Sequence, residues 1–377
     1  MDYFIIDQEK IYIEIKNTDI IFKKYINGVL TELNKNQKKE ILDELKTKDG
    51  YNYDSQLLME LMHSNPSLNS NFEYYYNFLS YIEGIIPEKY KSNFYNNLKT
   101  LQIELNLDVE PKTDVEKKFY TTCGGYNTKD NRIVISPESI SQIREISKVT
   151  NDPNRFFWKH FNKDLLHELF HMASSNYDKE TGISLSGFDK YPANNIYDSN
   201  RGLTEGMTEV LSCCGIPGTI EIACGYYIEE MFINQLTQIV GTQPLLDSYF
   251  GNLGNNLLCE KLCEINDDVA KASSLFALID LNYSLHEKNE EQTILGTVQS
   301  KLVDYYSQRI FMDIEKGVSE SEIRKSMDIY KNMLVTKDVL NTMKKDPSNY
   351  PNLDISIAAY NNLEIEVNNL FKSKAKL

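Results

Sequence analysis

One stretch constrains this chain more than any other: NDPNRFFWKHFNKDLLHELFHMASS, residues 151–175. Asp152 can cap a helix, and Pro153 suits the first helical position. The pattern predicts a helix from there to about Ser174. On such a helix His167 and His171 project from one face, about 6 Å apart. They are two of only five histidines in the chain, and together they can hold one divalent ion through their imidazoles. Glu168 lies about 100° around from His167. That is too far round for a natural third ligand, yet within reach of a water beside the ion. Two ligands and one general base on a single rigid element is the arrangement that H-E-x-x-H encodes. A core helix whose histidines are merely hydrogen-bonded has the same spacing, so the rest of the sequence must discriminate.

A zinc site needs a third protein ligand and an open fourth position. The spacing His-x-x-Gly-x-x-His is not met, because Ser174 and Tyr177 occupy those places. His160 shares the face of His167, but about 10 Å away along the axis, too far to bind the same ion. The better candidate lies in GLTEGMTEVLS, residues 202–212. Glu205 and Glu209 are again four apart on a helix. One carboxylate can bind the metal, and the other can accept the free ring N–H of a ligand histidine. Their neighbours Leu203, Gly206, Met207, Val210 and Leu211 are small or apolar, which predicts burial rather than solvation. A buried carboxylate needs a partner, and a cation supplies one. Asp164, three residues before His167, is either a supporting group or a surface charge.

HELFH followed by TEGMTE resembles the zincin metallopeptidases of the gluzincin, thermolysin-like, kind. In this sequence Thr204 stands where that pattern commonly has Asn, and Glu209 where Asp is frequent. The segment GGYNTKDNRIVIS looks like the sheet-edge strand that zincins use to align a substrate. The resemblance covers about residues 120 to 215. It implies that His167, His171 and Glu205 bind one Zn2+, that Glu168 is the general base, and that Glu209 supports a ligand histidine. It implies a peptide or protein substrate, held by β-augmentation along Ile133, Val134 and Ile135. Glu168 would take a proton from the attacking water and pass it to the leaving amine. A second oxyanion donor is usually wanted; Tyr226, Tyr227 and His286 are candidates, and spacing does not select among them.

Two other readings stay open. A deformylase-like amidohydrolase would use Cys123, 44 residues before His167, as third ligand. A zinc-binding helical scaffold or degenerate peptidase would have no use for the base at Glu168.

Around this core the expected fold class is α+β and predominantly helical. A zincin-like core with a small sheet and an active-site helix is followed by a large helical C-terminal subdomain. Residues 3–6 and 11–15 alternate as a hairpin. Residues 34–107 carry helical spacing, and DVEPKT (108–113) looks like a linker. Expected boundaries are 1–112, 113–215 and 216–377. ESISQIREISKV (138–149) reads as a helix, and 175–200 as a long connection. After Thr219 the chain reads helical, with breaks near Gly241–Pro244, Gly251–Gly254, Gly317 and DPSNYPN. The net charge of −15 and the absence of a basic stripe argue against a nucleic-acid partner. No window approaches the ~20 apolar residues of a membrane span, and the N-terminus lacks a secretory pattern; the expectation is a cytoplasmic protein with no membrane partner. The six cysteines show no disulfide framework. Cys259 and Cys263, one turn apart, read as packing thiols.

Overall fold

Alternating apolar residues at the N-terminus build a meander. In the computed structural model, β1 (Asp2–Ile6), β2 (Glu9–Lys16), β3 (Asp19–Ile26) and β4 (Val29–Glu32) form a sheet in chain order. Successive strands are antiparallel, and the pairing of each runs out to Ile6↔Glu9, Lys16↔Asp19 and Ile26↔Val29. The structure describes residues 2–6, 9–16, 19–26, 29–34, 36–37, 56–105, 125–135, 140, 153–191, 199–214, 226–287, 294–334 and 353–374. The linker at 108–113, Cys123, nearly all of the helix expected at 138–149 and the DPSNYPN break lie outside them.

The helical spacing of the next stretch yields α1 (Gln56–Ser64), α2 (Pro66–Asn69), α3 (Phe72–Ile85) and α4 (Lys91–Leu98). The end of that stretch is not helical. Gln102–Leu105 is a strand, β5, because the partner β7 lies beside it. A three-stranded sheet follows, with β6 (Gly125–Asn127) and β7 (Arg132–Ile135) in the order β5-β7-β6. β7 runs parallel to β5 and antiparallel to β6. Ile133, Val134 and Ile135 are therefore residues of the middle strand, and all three are buried. This corrects the expected substrate edge. Both hydrogen-bonding sides of β7 are taken, so no extended peptide can add to it. Burial on both faces also explains its unbroken apolar run. In this sheet the outer positions belong to β5 and β6.

α5 (Pro153–Ser174) carries the histidine pair. The segment after it, expected as a connection, instead forms β8 (Ser175–Asp178), β9 (Ile183–Ser186) and β10 (Asp189–Tyr191), ordered β10-β9-β8. Gly182 (φ 71) and Gly187 (φ 58) supply the left-handed residues between these strands.

The rest is helical: α6 (Arg201–Cys214), α7 (Tyr227–Val240), α8 (Thr242–Gly251), α9 (Asn256–Cys263), α10 (Val269–Glu287), α11 (Leu295–Glu315), α12 (Glu320–Leu334) and α13 (Leu353–Lys374). Gly241, Asn252–Gly254 and Gly317 fall between helices, as expected, whereas Pro244 lies in the first turn of α8, where its missing N–H is tolerated. The class is thus α+β and predominantly helical. Among the described residues no helix is long and apolar enough to cross a membrane.

The chain divides into two compact units. One comprises Met1–Ser184 and Leu211–Ile222, the other Leu185–Val210 and Ala223–Leu377. In the first, α5 packs against α3, α4 and the β6/β7 side of the small sheet, burying Phe161, Leu165, Leu166, Leu169 and Phe170. In the second, Gln299 joins three helices. Its Nε2 donates to Leu334 O at 2.6 Å, and its Oε1 accepts from Ser356 Oγ at 3.1 Å. Tyr330 stacks on Tyr306 with ring centroids 3.8 Å apart.

α6 and α7 meet at backbone distance. A Cβ on Gly206 would lie 2.6 Å from Glu229 O and 2.7 Å from Glu229 C. Backbone atoms cannot step aside as a side chain can, so this glycine is required by space. Gly206→Ala is expected to destabilise the fold by about 1–3 kcal/mol, the usual range for overpacking. A lowered urea midpoint in far-UV circular dichroism is the measurement, and an unchanged midpoint would contradict the contact.

Candidate metal centre

The C-terminal half of α5 is buried almost all round. From Phe161 to Phe170 only Asn162 and Asp164 are not buried. His167 and Glu168 are each 8% exposed, and His171 is half-buried. Polar groups in such surroundings must be paired. The two imidazoles answer each other first: His171 Nε2 and His167 Nε2 lie 3.1 Å apart, with either ring able to donate. The rings meet edge to face, with centroids 4.8 Å apart.

The end of α5 is fixed from α4. Asn97 Nδ2 donates to Met172 O and Ser175 O, both at 2.8 Å, and Asn93 Nδ2 donates to Ser175 O at 2.7 Å. Ser175 Oγ donates to His171 O at 2.5 Å. These bonds satisfy the carbonyls that any helix leaves open at its C-terminus. They let α5 pass directly into β8 without unravelling the turn that carries His171. Sequence reasoning missed Asn93 and Asn97. Their signal was three asparagines in the eight residues of α4, a poor composition for a helix unless their amides serve elsewhere.

Glu205 comes from α6, where the side chain beside it and the one a turn later are tied down. Thr204 Oγ1 accepts from Phe188 N at 3.0 Å and donates to Ser186 O at 3.3 Å. Thr208 Oγ1 donates to Thr204 O and lies 2.7 Å from the Tyr249 hydroxyl. A Cβ on Gly187 would strike the Tyr249 ring at 2.7 Å, so this turn closes only over glycine. Asp280 of α10 caps the helix: its Oδ1 accepts from Gly202 N at 3.1 Å. α6 therefore enters with its first turn anchored.

With both helices placed, one ligand atom from each of His167, His171 and Glu205 lies within 4.8 Å of the others, the one such group among the described residues. Glu205 is 6% exposed. Two ligands at about 2.05 Å from a tetrahedral zinc stand roughly 3.3 Å apart. The imidazole pair already has that spacing. Two imidazoles and one carboxylate are a donor set that suits zinc, so the residues present fit the ion. Arg201 Nε lies 3.6 Å from Glu205 Oε1, which gives this buried carboxylate one positive neighbour.

The other expected residues fall as follows. Glu168 is buried and outside the ligand group. Glu209 is 1% exposed, one turn beyond Glu205 and also outside the group. Asp164 is half-buried. Tyr226 precedes α7, its ring 6.0 Å from Tyr283, and Tyr227 opens α7. His160 and His286 lie on helices, but their side chains are outside the described residues, as is Cys123. Cys259 and Cys263 are free thiols outside any ligand group. Burial pushes the Cys259 thiol up, which suits packing better than ligation.

Compared with family models, curated proteins and solved structures, the chain matches none.

Glu205→Ala removes one of the three donors that could hold a metal ion. Losing a mere supporting residue costs about 10- to 100-fold in affinity, so a ligand is expected to cost at least ~100-fold. Competition with a zinc chelator measures it, and unchanged affinity would remove Glu205 from the site. Asp189, near Arg201, offers a pH test. Burial raises its carboxyl, the Lys190 backbone N–H and Arg201 draw it down, and Asp280 adds to the rise. The folded chain thus holds this proton more tightly than the unfolded chain. The contribution of Asp189 to stability falls as pH rises above the ordinary carboxylate value near ~3.9. Relative to Asp189→Asn, wild type is expected to lose stability as pH rises above about 4, read from urea midpoints at each pH.

Proposed function

We propose that this chain is a zinc-dependent peptidase with a zincin-like core, in which His167, His171 and Glu205 hold the ion and Glu168 is the general base. The observation that carries this reading is the grouping of two imidazoles, already at zinc-ligand spacing, with a buried carboxylate from a second helix.

A divalent ion held by these groups supplies Lewis-acid polarisation and an acidified water. The chain's own part is to hold and move the proton. Glu168 shares the rigid helix of both imidazoles, so its carboxylate is fixed relative to them. It accepts a proton from the attacking water and delivers it to the leaving amine nitrogen. Its burial raises the strength of that interaction by excluding bulk water. The peptide carbonyl oxygen gains charge as water adds. Tyr226, Tyr227 and His286 remain the candidates to stabilise it. An extended substrate would lie along β6 rather than β7, since β6 is an outer strand and packs against α5.

Glu168→Gln keeps the shape of the base and removes its proton affinity. The expected result is unchanged zinc stoichiometry with turnover of a peptide library lowered about 10²- to 10⁴-fold. Metal analysis and mass-spectrometric detection of cleavage products read the two quantities. Equal turnover in both proteins would remove the assigned base. Stoichiometric zinc without cleavage by wild type would favour the scaffold reading.

A further inference from the structure

Helix α6 begins between two carboxylates. Asp189 of β10 accepts the backbone N–H of Asn200 and that of Lys190, the latter at 2.8 Å. Asp280 of α10 accepts the N–H of Gly202 at 3.1 Å. Arg201 lies in the chain between Asn200 and Gly202. Carboxylates suit a helix N-terminus, where N–H groups are unpaired and the dipole is positive. An asparagine would cap as well as an aspartate, so capping alone does not call for charge. The charge has a second partner in Arg201, which draws the Asp189 carboxyl down while Asp280 pushes it up.

The guanidinium is therefore shared. Its Nε stands 3.6 Å from Glu205 Oε1, one helical turn on. Its charge also acts on Asp189. Tyr283 of α10 lies beside it, with the ring centroid 5.8 Å from Cζ. All of these groups belong to the second compact unit. Arg201 and Asp189 are outside the set of ion donors, so both act on the ion only through Glu205. In metal-free protein the arginine gives the buried Glu205 a positive neighbour. Once Glu205 is committed to a divalent cation, the same arginine is a like charge beside it and opposes binding. Arg cannot escape by losing its proton. A second carboxylate on the guanidinium removes that opposition, and Asp189 supplies it.

We infer that Asp189 is a positioning residue for the candidate metal centre: it takes up the charge of Arg201 when Glu205 binds the ion, so that one arginine balances Glu205 in metal-free protein without competing in the loaded one. This rests on the metal-site reading above and deepens it.

The test is the zinc affinity of the full-length protein, measured by chelator competition at neutral pH. Asp189→Asn keeps an oxygen for both backbone N–H groups and removes the charge. It is expected to weaken zinc binding about 10-fold, the lower end of the loss when a group supporting a ligand is removed. In an Arg201→Met background the same change should cost less than about 3-fold, because residues that act through each other are not additive. Asp189→Glu restores the charge and should recover most of the wild-type affinity. Arg201→Met alone should bind zinc at least as tightly as wild type. Arg201 is 55% exposed, so this variant carries the test even where Asp189→Asn does not fold. An equal loss from Asp189→Asn in both backgrounds would overturn the inference and leave Asp189 as a cap of α6. A loss of about 10-fold or more on Arg201→Met would also overturn it, making the arginine a support of Glu205 and not its competitor. Both outcomes leave the metal site standing. Unchanged affinity in Glu205→Ala would instead remove the site and the inference together.

Discussion

Two imidazoles facing each other across 3.1 Å inside a buried helix are the constraint around which the candidate site is organised. A buried imidazole pair accepts one shared proton or one cation, and little else. A carboxylate at 6% exposure in the same group shifts the balance towards a cation, because an ionised carboxylate away from water is costly unless a positive charge meets it. Arg201 Nε meets Glu205 Oε1 at 3.6 Å. Much of the surrounding detail serves this demand. The asparagine amides that close α5 keep the turn of His171 intact, and the capped, threonine-tethered start of α6 keeps Glu205 at a fixed height.

Much of this was legible in the sequence because it depends on local spacing. Pro153 and the four-residue period placed α5. The small apolar neighbours of Glu205 predicted its burial, and i, i+4 geometry predicted a shared imidazole face. The glycine breaks after Thr219 marked helix ends because glycine's freedom at positive φ is a property of the residue itself.

What was not legible depends on partners distant in sequence. β5 carries helical spacing until β7 is brought beside it. Ile133 to Ile135 read as a strand, but whether a strand is outer or central depends on where β5 lands, and no local feature of the strand states that. The sheet formed by β8, β9 and β10 was hidden by strands of three or four residues rich in Asp, Ser and Asn. Its two glycines five apart were the available clue. Asn27-Gly28, a strong hairpin dipeptide, likewise pointed to the pairing of β3 with β4. The caps on α5 and α6 come from Asn93, Asn97 and Asp280, side chains on other helices, so they were visible only as unexplained polar residues.

The glycine after Glu205 has a mechanical consequence. Where one helix presents a glycine to the backbone of another, their spacing there is set largely by groups that do not change rotamer. Side-chain breathing, which blurs most helix contacts by fractions of an ångström, has little to act on where Gly206 faces the backbone and Cβ of Glu229. The carboxylate one residue earlier is thus indexed to a hard stop. Chemistry that tolerates little positional error finds a steady reference there.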